Sequence, residues 1–335
     1  MSEYKSHTGH WQPQLPLLRT QLQRCQLGQA LNFPLTESEV QAYCDYYGYT
    51  QNAALATAGF SIGTLQYQGL KVAAYWWQQS DYKGSVVVVP GLFDHVGIYQ
   101  NFIQFLLKQG WDVFAVDMPG HGLSEGPRAE IADFAHYSEV IELALQTLFQ
   151  SHSIPSHRPQ PVFLVGQSTG GAAVAHYLMT GASRDKISKA VLLAPLLRPV
   201  SWLSVSWGWL LMHRFIKHVP RKFAVNSNDE DFLDFLANRD PLQPQKISLR
   251  WVGAMRQWVN LFSSLPESTV PVLIIQGDDD GTVDWRYNIE RFKEKFKRCD
   301  LQMLQGARHH LVNESARFVD VLQERVKEFL DFHSS

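Results

Sequence analysis

Pro161-Val-Phe-Leu-Val-Gly-Gln-Ser168-Thr-Gly-Gly-Ala-Ala-Val-Ala-His-Tyr-Leu-Met179 is the stretch on which the reading of this chain turns. Four apolar residues, 162–165, run directly into Gly166-Gln167-Ser168-Thr169-Gly170, and a helix pattern of small residues starts at once. A strand that turns into a helix without a loop strains the backbone at the corner and lifts the corner side chain above the sheet. Gly166 and Gly170 are needed there because a side chain at either would collide with the neighbouring strand or helix. The bare G-x-S-x-G spacing is a weak signal. The strand before it and the helix after it make Ser168 a candidate nucleophile.

Outward from this corner the chain alternates. Short β-branched runs at 86–89, 113–116, 162–165, 190–193 and 270–275 are separated by helix-like stretches at 98–108, 134–149 and 172–179. Continuous apolar runs between helices predict parallel strands buried on both faces, hence an α/β fold with a doubly wound, mostly parallel sheet. Ahead of them FSIGTLQY and LKVAAYWW flank Gln68-Gly69 and predict a hairpin. The first 58 residues predict a helical extension, with helices at 17–31 and 37–46, the second opened by a Thr36/Glu39 capping box. The alternation stops at Leu197 and resumes near residue 266. The stretch 197–265 holds five tryptophans, little strand character, and helix patterns at 228–236 and 248–262. The chain is therefore divided into an N-terminal extension (1–58), a first core part (59–196), a helical lid (197–265) and a second core part (266–335).

Composition limits the functional classes. The 335 residues carry 45% hydrophobic and 19% charged side chains, enough apolar material for a deep core. A formal net charge of −2 gives no overall field that would favour nucleic acid. Cys25, Cys44 and Cys299 are odd in number and widely spaced, with neither disulfide nor zinc patterning, which fits a reducing compartment. No basic segment followed by an apolar run and a small-residue cleavage site opens the sequence, so no secretory signal is expected. The apolar stretch 200–212 is shorter than the roughly 20 residues of a membrane span.

A serine needs a base, and the base needs an orienting acid. Downstream strand ends offer both. VPVLIIQGDDDGTVDW supplies Asp278, Asp279, Asp280 and Asp284, and LQMLQGARHHLVNES supplies His309 and His310. Their order, serine then acid then histidine, is that of the strand–serine–helix hydrolases. Spacing alone does not choose among the acids or between the histidines.

Four motifs in order do. Val116-Asp117-x-x-Gly120-His121-Gly122-x-Ser124-Glu125-Gly126, then GQSTGG, then Gln276-Gly277-x-x-Asp280, then Gly306-Ala307-x-His309-x-Leu311 resemble the monoacylglycerol lipase and lysophospholipase branch of the α/β-hydrolases, grouped with serine-aminopeptidase-like enzymes. The resemblance spans residues 60–331 apart from the lid. It implies a triad of Ser168, Asp280 and His309, and an oxyanion hole made by the backbone amides of Leu92 and Thr169. The family's His-Gly-x-Gly loop reads Pro90-Gly91-Leu92-Phe93 here, a departure at Pro90 and Phe93. Asp117 and His121, and the Asp94-His95 pair, are expected to order loops.

The implied activity is hydrolysis of a lipophilic ester, a monoacylglycerol or lysophospholipid, with no metal and no organic cofactor. Trp202, Trp207 and Trp209 are expected to bind substrate in an acyl-chain pocket, and Arg214, Lys217, Arg221 and Lys222, which follow, to form a basic edge that touches anionic lipid headgroups, with transient contact to a membrane surface. The expected location is cytoplasmic, peripheral at the membrane. Two other readings remain: a proline-iminopeptidase-like aminopeptidase, whose amine anchor would come from Asp229, Glu230, Asp231 or Asp234, and a non-catalytic binding protein that has kept the fold.

Overall fold

A computed structural model describes residues 11–151 and 161–331; the remaining parts of the 1–58, 59–196 and 266–335 segments lie outside the described residues. The predicted hairpin is present as β1 (Gly59–Tyr67) and β2 (Leu70–Gln78), in antiparallel register from Gly59↔Gln78 to Tyr67↔Leu70. Its turn residues Gln68 and Gly69 both have positive φ, 47° and 79°, the sign that a tight two-residue hairpin requires.

The predicted runs become β3 (Ser85–Val89), β4 (Asp112–Val116), β5 (Val162–Gln167), β6 (Ile187–Leu193) and β9 (Val272–Gly277); β10 (Cys299–Leu304) completes an eight-stranded sheet ordered β1-β2-β4-β3-β5-β6-β9-β10. β2 alone runs against its neighbours; the pairings from β4 across to β10 are parallel. Every residue of β3, β4, β5 and β9 is buried, because helices cover both faces. These helices are α4 (Gln100–Lys108), α5 (Ala135–Ser151), α6 (Thr169–Thr180), α10 (Trp285–Lys295) and α11 (Ala316–Asp331). The doubly wound α/β fold is as expected.

Among its described residues the N-terminal extension holds three short helices, α1 (Leu15–Leu22), α2 (Ser38–Tyr46) and α3 (Ala53–Thr57). The capping box does not form. Glu37 is the N-cap of α2 without a side-chain hydrogen bond, the Glu39 amide donates to Gln21 Oε1 (2.7 Å), and the Glu39 carboxylate accepts from the Gln14 amide (3.4 Å). A contact with α1, invisible to local pattern, has taken the place of the local cap. Tyr43, Tyr47 and Tyr49 are fully buried with Tyr75 and Trp77 of β2 in one aromatic cluster, so the extension is part of the core.

Between β6 and β9 lie α7 (Trp202–Met212), α8 (Glu230–Asp234) continued by a π-turn at Phe235–Arg239, and α9 (Leu249–Phe262). A two-stranded antiparallel ribbon, β7 (His218–Pro220) and β8 (Lys246–Ser248), joins them. With three residues in each strand, the ribbon leaves no alternation to read and agrees with the little strand character expected of the segment.

Candidate active site

Ser168 stands where β5 becomes α6, with φ +54° and ψ −115°. That conformation is strained for a residue with a side chain and persists only where its surroundings enforce it. They do so through three backbone contacts: the Ser168 amide donates to Leu193 O (2.8 Å), and its carbonyl accepts from Leu196 (3.0 Å) and Ala172 (3.0 Å). A Cβ on Gly166 would run into the Gly170 carbonyl, and one on Gly170 into the Val89 carbonyl. The tight corner therefore exists only with glycine at both positions.

The two downstream strand ends deliver one acid and one base to this hydroxyl. His309 Nε2 lies 2.9 Å from Ser168 Oγ, and His309 Nδ1 lies 2.8 Å from Asp280 Oδ2. Asp280 is further held by hydrogen bonds from the Thr282 amide (2.8 Å), the Val283 amide (3.1 Å) and Gln276 Nε2 (2.9 Å). Burial by itself would raise the Asp280 carboxyl, but the adjacent imidazole and these donors outweigh it and hold the group below its ordinary value. Burial would likewise lower His309, and Asp280 outweighs it, leaving the imidazole above its ordinary value. The Asn226 carbonyl accepts from the backbone amides of both His309 (3.0 Å) and His310 (2.8 Å), tying the histidine loop to the segment between β6 and β9.

The other candidates go elsewhere. Asp278 accepts from the Gly306 amide and Asp279 meets Arg308, both at the exposed edge. Asp284 caps α10 and pairs with Arg198 at 2.6 Å. His310 turns away from Ser168 to face Asp94 at 3.2 Å and the Phe232 ring. His121 is buried with Nδ1 2.9 Å from Pro119 O, and burial pushes it down to about 4. Asp117 accepts from the Val96 and Leu123 amides and the Tyr75 hydroxyl, closing its own loop.

Leu92 and Thr169 line the cavity above Ser168, and neither amide has a hydrogen-bond acceptor among the described residues. For Thr169 this follows from its place as the first residue of α6, where an amide has no intrahelical partner. The departure from the family loop has a visible result at Phe93, whose φ is +72°. Asp94, next in sequence, accepts from the Tyr99 hydroxyl (2.9 Å), which in turn accepts from the Gly91 amide (3.4 Å). Burial would raise the Asp94 carboxyl, but His310, Tyr99 and Arg221 bring it down to about 2. His95 Nε2 lies 2.9 Å from Asp240 Oδ2, a residue of the inserted segment, and Asp240 Oδ1 accepts from the Tyr47 hydroxyl (2.7 Å) of the N-terminal extension.

The cavity holds about 280 Å³ and is mainly apolar, with Leu196, Val205, Ile247, Trp251, Val252 and Met255 among its walls. Trp202, Trp207 and Trp209 are not among its lining residues. Trp209 Nε1 donates to Leu249 O (2.7 Å), its ring stacks on His213, and Trp207 is exposed. The expectation that these tryptophans line the site is corrected: α7 presents Val205 to the cavity, and the indole there is Trp251 of α9. Asp229, Glu230, Asp231 and Asp234 are also outside the lining. Sequence reasoning missed Gln276, Asn226 and Trp251, of which only Gln276 lies within a quoted motif; of the basic residues expected at the pocket edge, Arg221 and Lys222 line the cavity. Among the described residues no group of His, Cys, Asp and Glu could hold a metal ion, and no helix is long and apolar enough to cross a membrane.

Known proteins share sequence and fold with this chain. Residues 80–316 match the family model described as serine aminopeptidase, S33. The chain is 28% identical to the monoglyceride lipase of Rattus norvegicus over 255 residues, covering 72% of this chain and 80% of that one. It is 25% identical over 265 residues to an uncharacterized abhydrolase domain-containing protein of Dictyostelium discoideum, spanning 26% of that longer protein. Among solved structures, a soluble variant of the Saccharomyces cerevisiae monoglyceride lipase in complex with a substrate analog superposes with a TM-score of 0.71 at 20% identity, covering 82% of this chain and 95% of that one. The chain thus belongs to the serine aminopeptidase, S33 family of α/β-hydrolases, in its monoglyceride-lipase-like branch, and is a carboxylic ester hydrolase.

Proposed function

We propose that this hydrolase cleaves medium- or long-chain acyl esters, a monoacylglycerol or a lysophospholipid, through an acyl-enzyme on Ser168. The observation that carries the reading is the 2.9 Å approach of His309 Nε2 to Ser168 Oγ at the wall of an apolar cavity. His309 takes the hydroxyl proton as Oγ attacks the ester carbonyl, while Asp280 holds the ring and stabilises the imidazolium. The amides of Leu92 and Thr169 receive the developing oxyanion, each contributing about 3 kcal/mol. Collapse expels the alcohol, which takes the proton from His309. Water, deprotonated by the same ring, then releases the acid. Relatives named as monoglyceride lipases, and a neighbour structure with a substrate analog, support a lipophilic ester.

In this reading residues 197–265 act as a lid between core parts 59–196 and 266–335, and residues 1–58 act as a brace. Exposed apolar and basic side chains of α7 and the turn after it make transient contact with a membrane surface. Three free cysteines are compatible with a cytoplasmic enzyme.

Ser168→Ala should lower hydrolysis about a million-fold while leaving the circular dichroism spectrum unchanged. Rates on p-nitrophenyl esters of increasing chain length should climb beyond acetate; a preference for acetate over decanoate sinks the lipid assignment. Aminoacyl amides assayed alongside test the aminopeptidase reading, which the placement of the acidic run outside the cavity does not favour. Absence of fluorophosphonate labelling at Ser168 would support a binding protein instead.

A further inference from the structure

The apolar cavity has one wall that an acyl chain does not need. Arg221 follows β7 directly, and its amide donates to Gln245 O (3.0 Å) in continuation of the ribbon. The ribbon thereby holds the guanidinium at the cavity that also contains Ser168 and His309. The guanidinium lies over the Phe93 ring (4.1 Å) and the Phe223 ring (4.4 Å), which fixes its plane. Nη1 donates to two neutral acceptors, Gln243 Oε1 (2.7 Å) and Pro244 O (3.3 Å). Nε and Nη2 have no acceptor among the described residues, and Arg221 forms no ion pair there.

The surroundings do not cancel this charge by contact. The lining carboxylate, Asp94, is engaged by Tyr99 and faces His310; Asp240, also close enough to act on Arg221 electrostatically, is engaged by His95, Tyr47 and Gln243. Lys222, exposed and also at the cavity, adds a second cation on the same side. Half-burying a guanidinium costs desolvation energy that a carboxylate or phosphate partner normally repays, and a planar fork with two free donors matches such an oxyanion in geometry.

Accordingly, we propose that Arg221, assisted by Lys222, forms an anion subsite in the substrate cavity, and that the preferred ester carries a phosphate or carboxylate oxyanion in addition to its acyl chain. The assignment rests on the ester-hydrolase reading of the same cavity and narrows it to anionic substrates.

The test compares kcat/KM for three esters of one acyl chain: a neutral 1-acylglycerol, its 3-phosphate, and its hemisuccinate. The wild-type chain should prefer one or both anionic esters by about tenfold to a hundredfold, expressed in KM more than in kcat. The phosphate and hemisuccinate arms tell the two oxyanions apart. Arg221→Gln should collapse the anionic-to-neutral ratio towards one, and Arg221→Lys should keep part of it. A wild-type ratio near one, or a ratio that survives Arg221→Gln, overturns the proposal. Dodecyl phosphate and dodecanol binding to the Ser168→Ala chain, measured by calorimetry, is independent of turnover. Tighter binding of the phosphate that is lost with Arg221→Gln supports the subsite even if no ester is cleaved, and equal binding overturns it even if hydrolysis is fast.

Discussion

His309 sits between two opposing influences, and their balance sets its working range. Burial favours the neutral ring, Asp280 favours the charged one, and Asp280 prevails, so the imidazole titrates above its ordinary value of 6.5. A general base must be neutral. Activity therefore rises as pH passes upward through the raised value, and the acid limb of the kcat/KM profile is expected above pH 6.5. Asp280→Asn removes the larger raising influence and leaves burial opposed only by Asp94, so the ring should titrate at lower pH by NMR, while kcat falls about 10⁴-fold. An acid limb well below 6.5 in the wild type would contradict this assignment of the base. Phe93 makes a related point at the same scale: its positive φ marks the loop as held by its neighbours, Arg221 among them, and no local pattern in Pro90-Gly-Leu-Phe-Asp-His announces it.

At the scale of elements, α7 shows how a helix that is apolar all round resolves into two faces. Trp202, Val205 and Trp209 pack against the core cluster from one side. Leu203, Trp207, Leu210 and Leu211, spaced for the opposite side, are 72%, 61%, 50% and 68% exposed, and Phe215 just beyond is 86% exposed. Uniform apolarity suits burial as well as a lipid-facing role, and only the packing assigns the outer face. Arg214 and Lys217, both exposed, lie beside it. Such an arrangement suits an interfacial helix with apolar residues in the headgroup region and cations at its edge. Replacing Leu203, Trp207 and Leu211 together by serine should weaken binding to anionic phosphatidylglycerol vesicles by at least about tenfold in a sedimentation assay, given the apolar area removed. Unchanged sedimentation would exclude α7 as the contact.

Across the whole molecule, three sequence-distant parts meet behind the loop that holds Leu92. Tyr47 of the extension, His95 of the loop and Asp240 of the inserted segment form one buried hydrogen-bonded group, with the Tyr47 ring edge-on to His95 at 5.1 Å. A second link runs from Tyr43 to Tyr75 (2.9 Å) and on to Asp117 (2.8 Å). Removing one donor from a buried carboxylate costs about 1–3 kcal/mol. Tyr47→Phe should therefore lower Tm by several degrees in calorimetry. An unaltered Tm would mean that the extension merely rests on the core.

The strand–serine–helix corner and the run of parallel strands were readable from sequence, because each depends on residues adjacent along the chain, whereas Asp280 and His309 were singled out there only by the resemblance of their motifs. The extent of the extension's helices, the β7–β8 ribbon and the failed capping box were not, since tertiary contacts override weak local preference there. Cavity lining was the least readable: the tryptophans singled out in α7 pack or face outward, while Val205 and Trp251 form the wall. A sequence records which side chains are apolar, but the direction each one points is decided only when helices, ribbon and sheet are packed together.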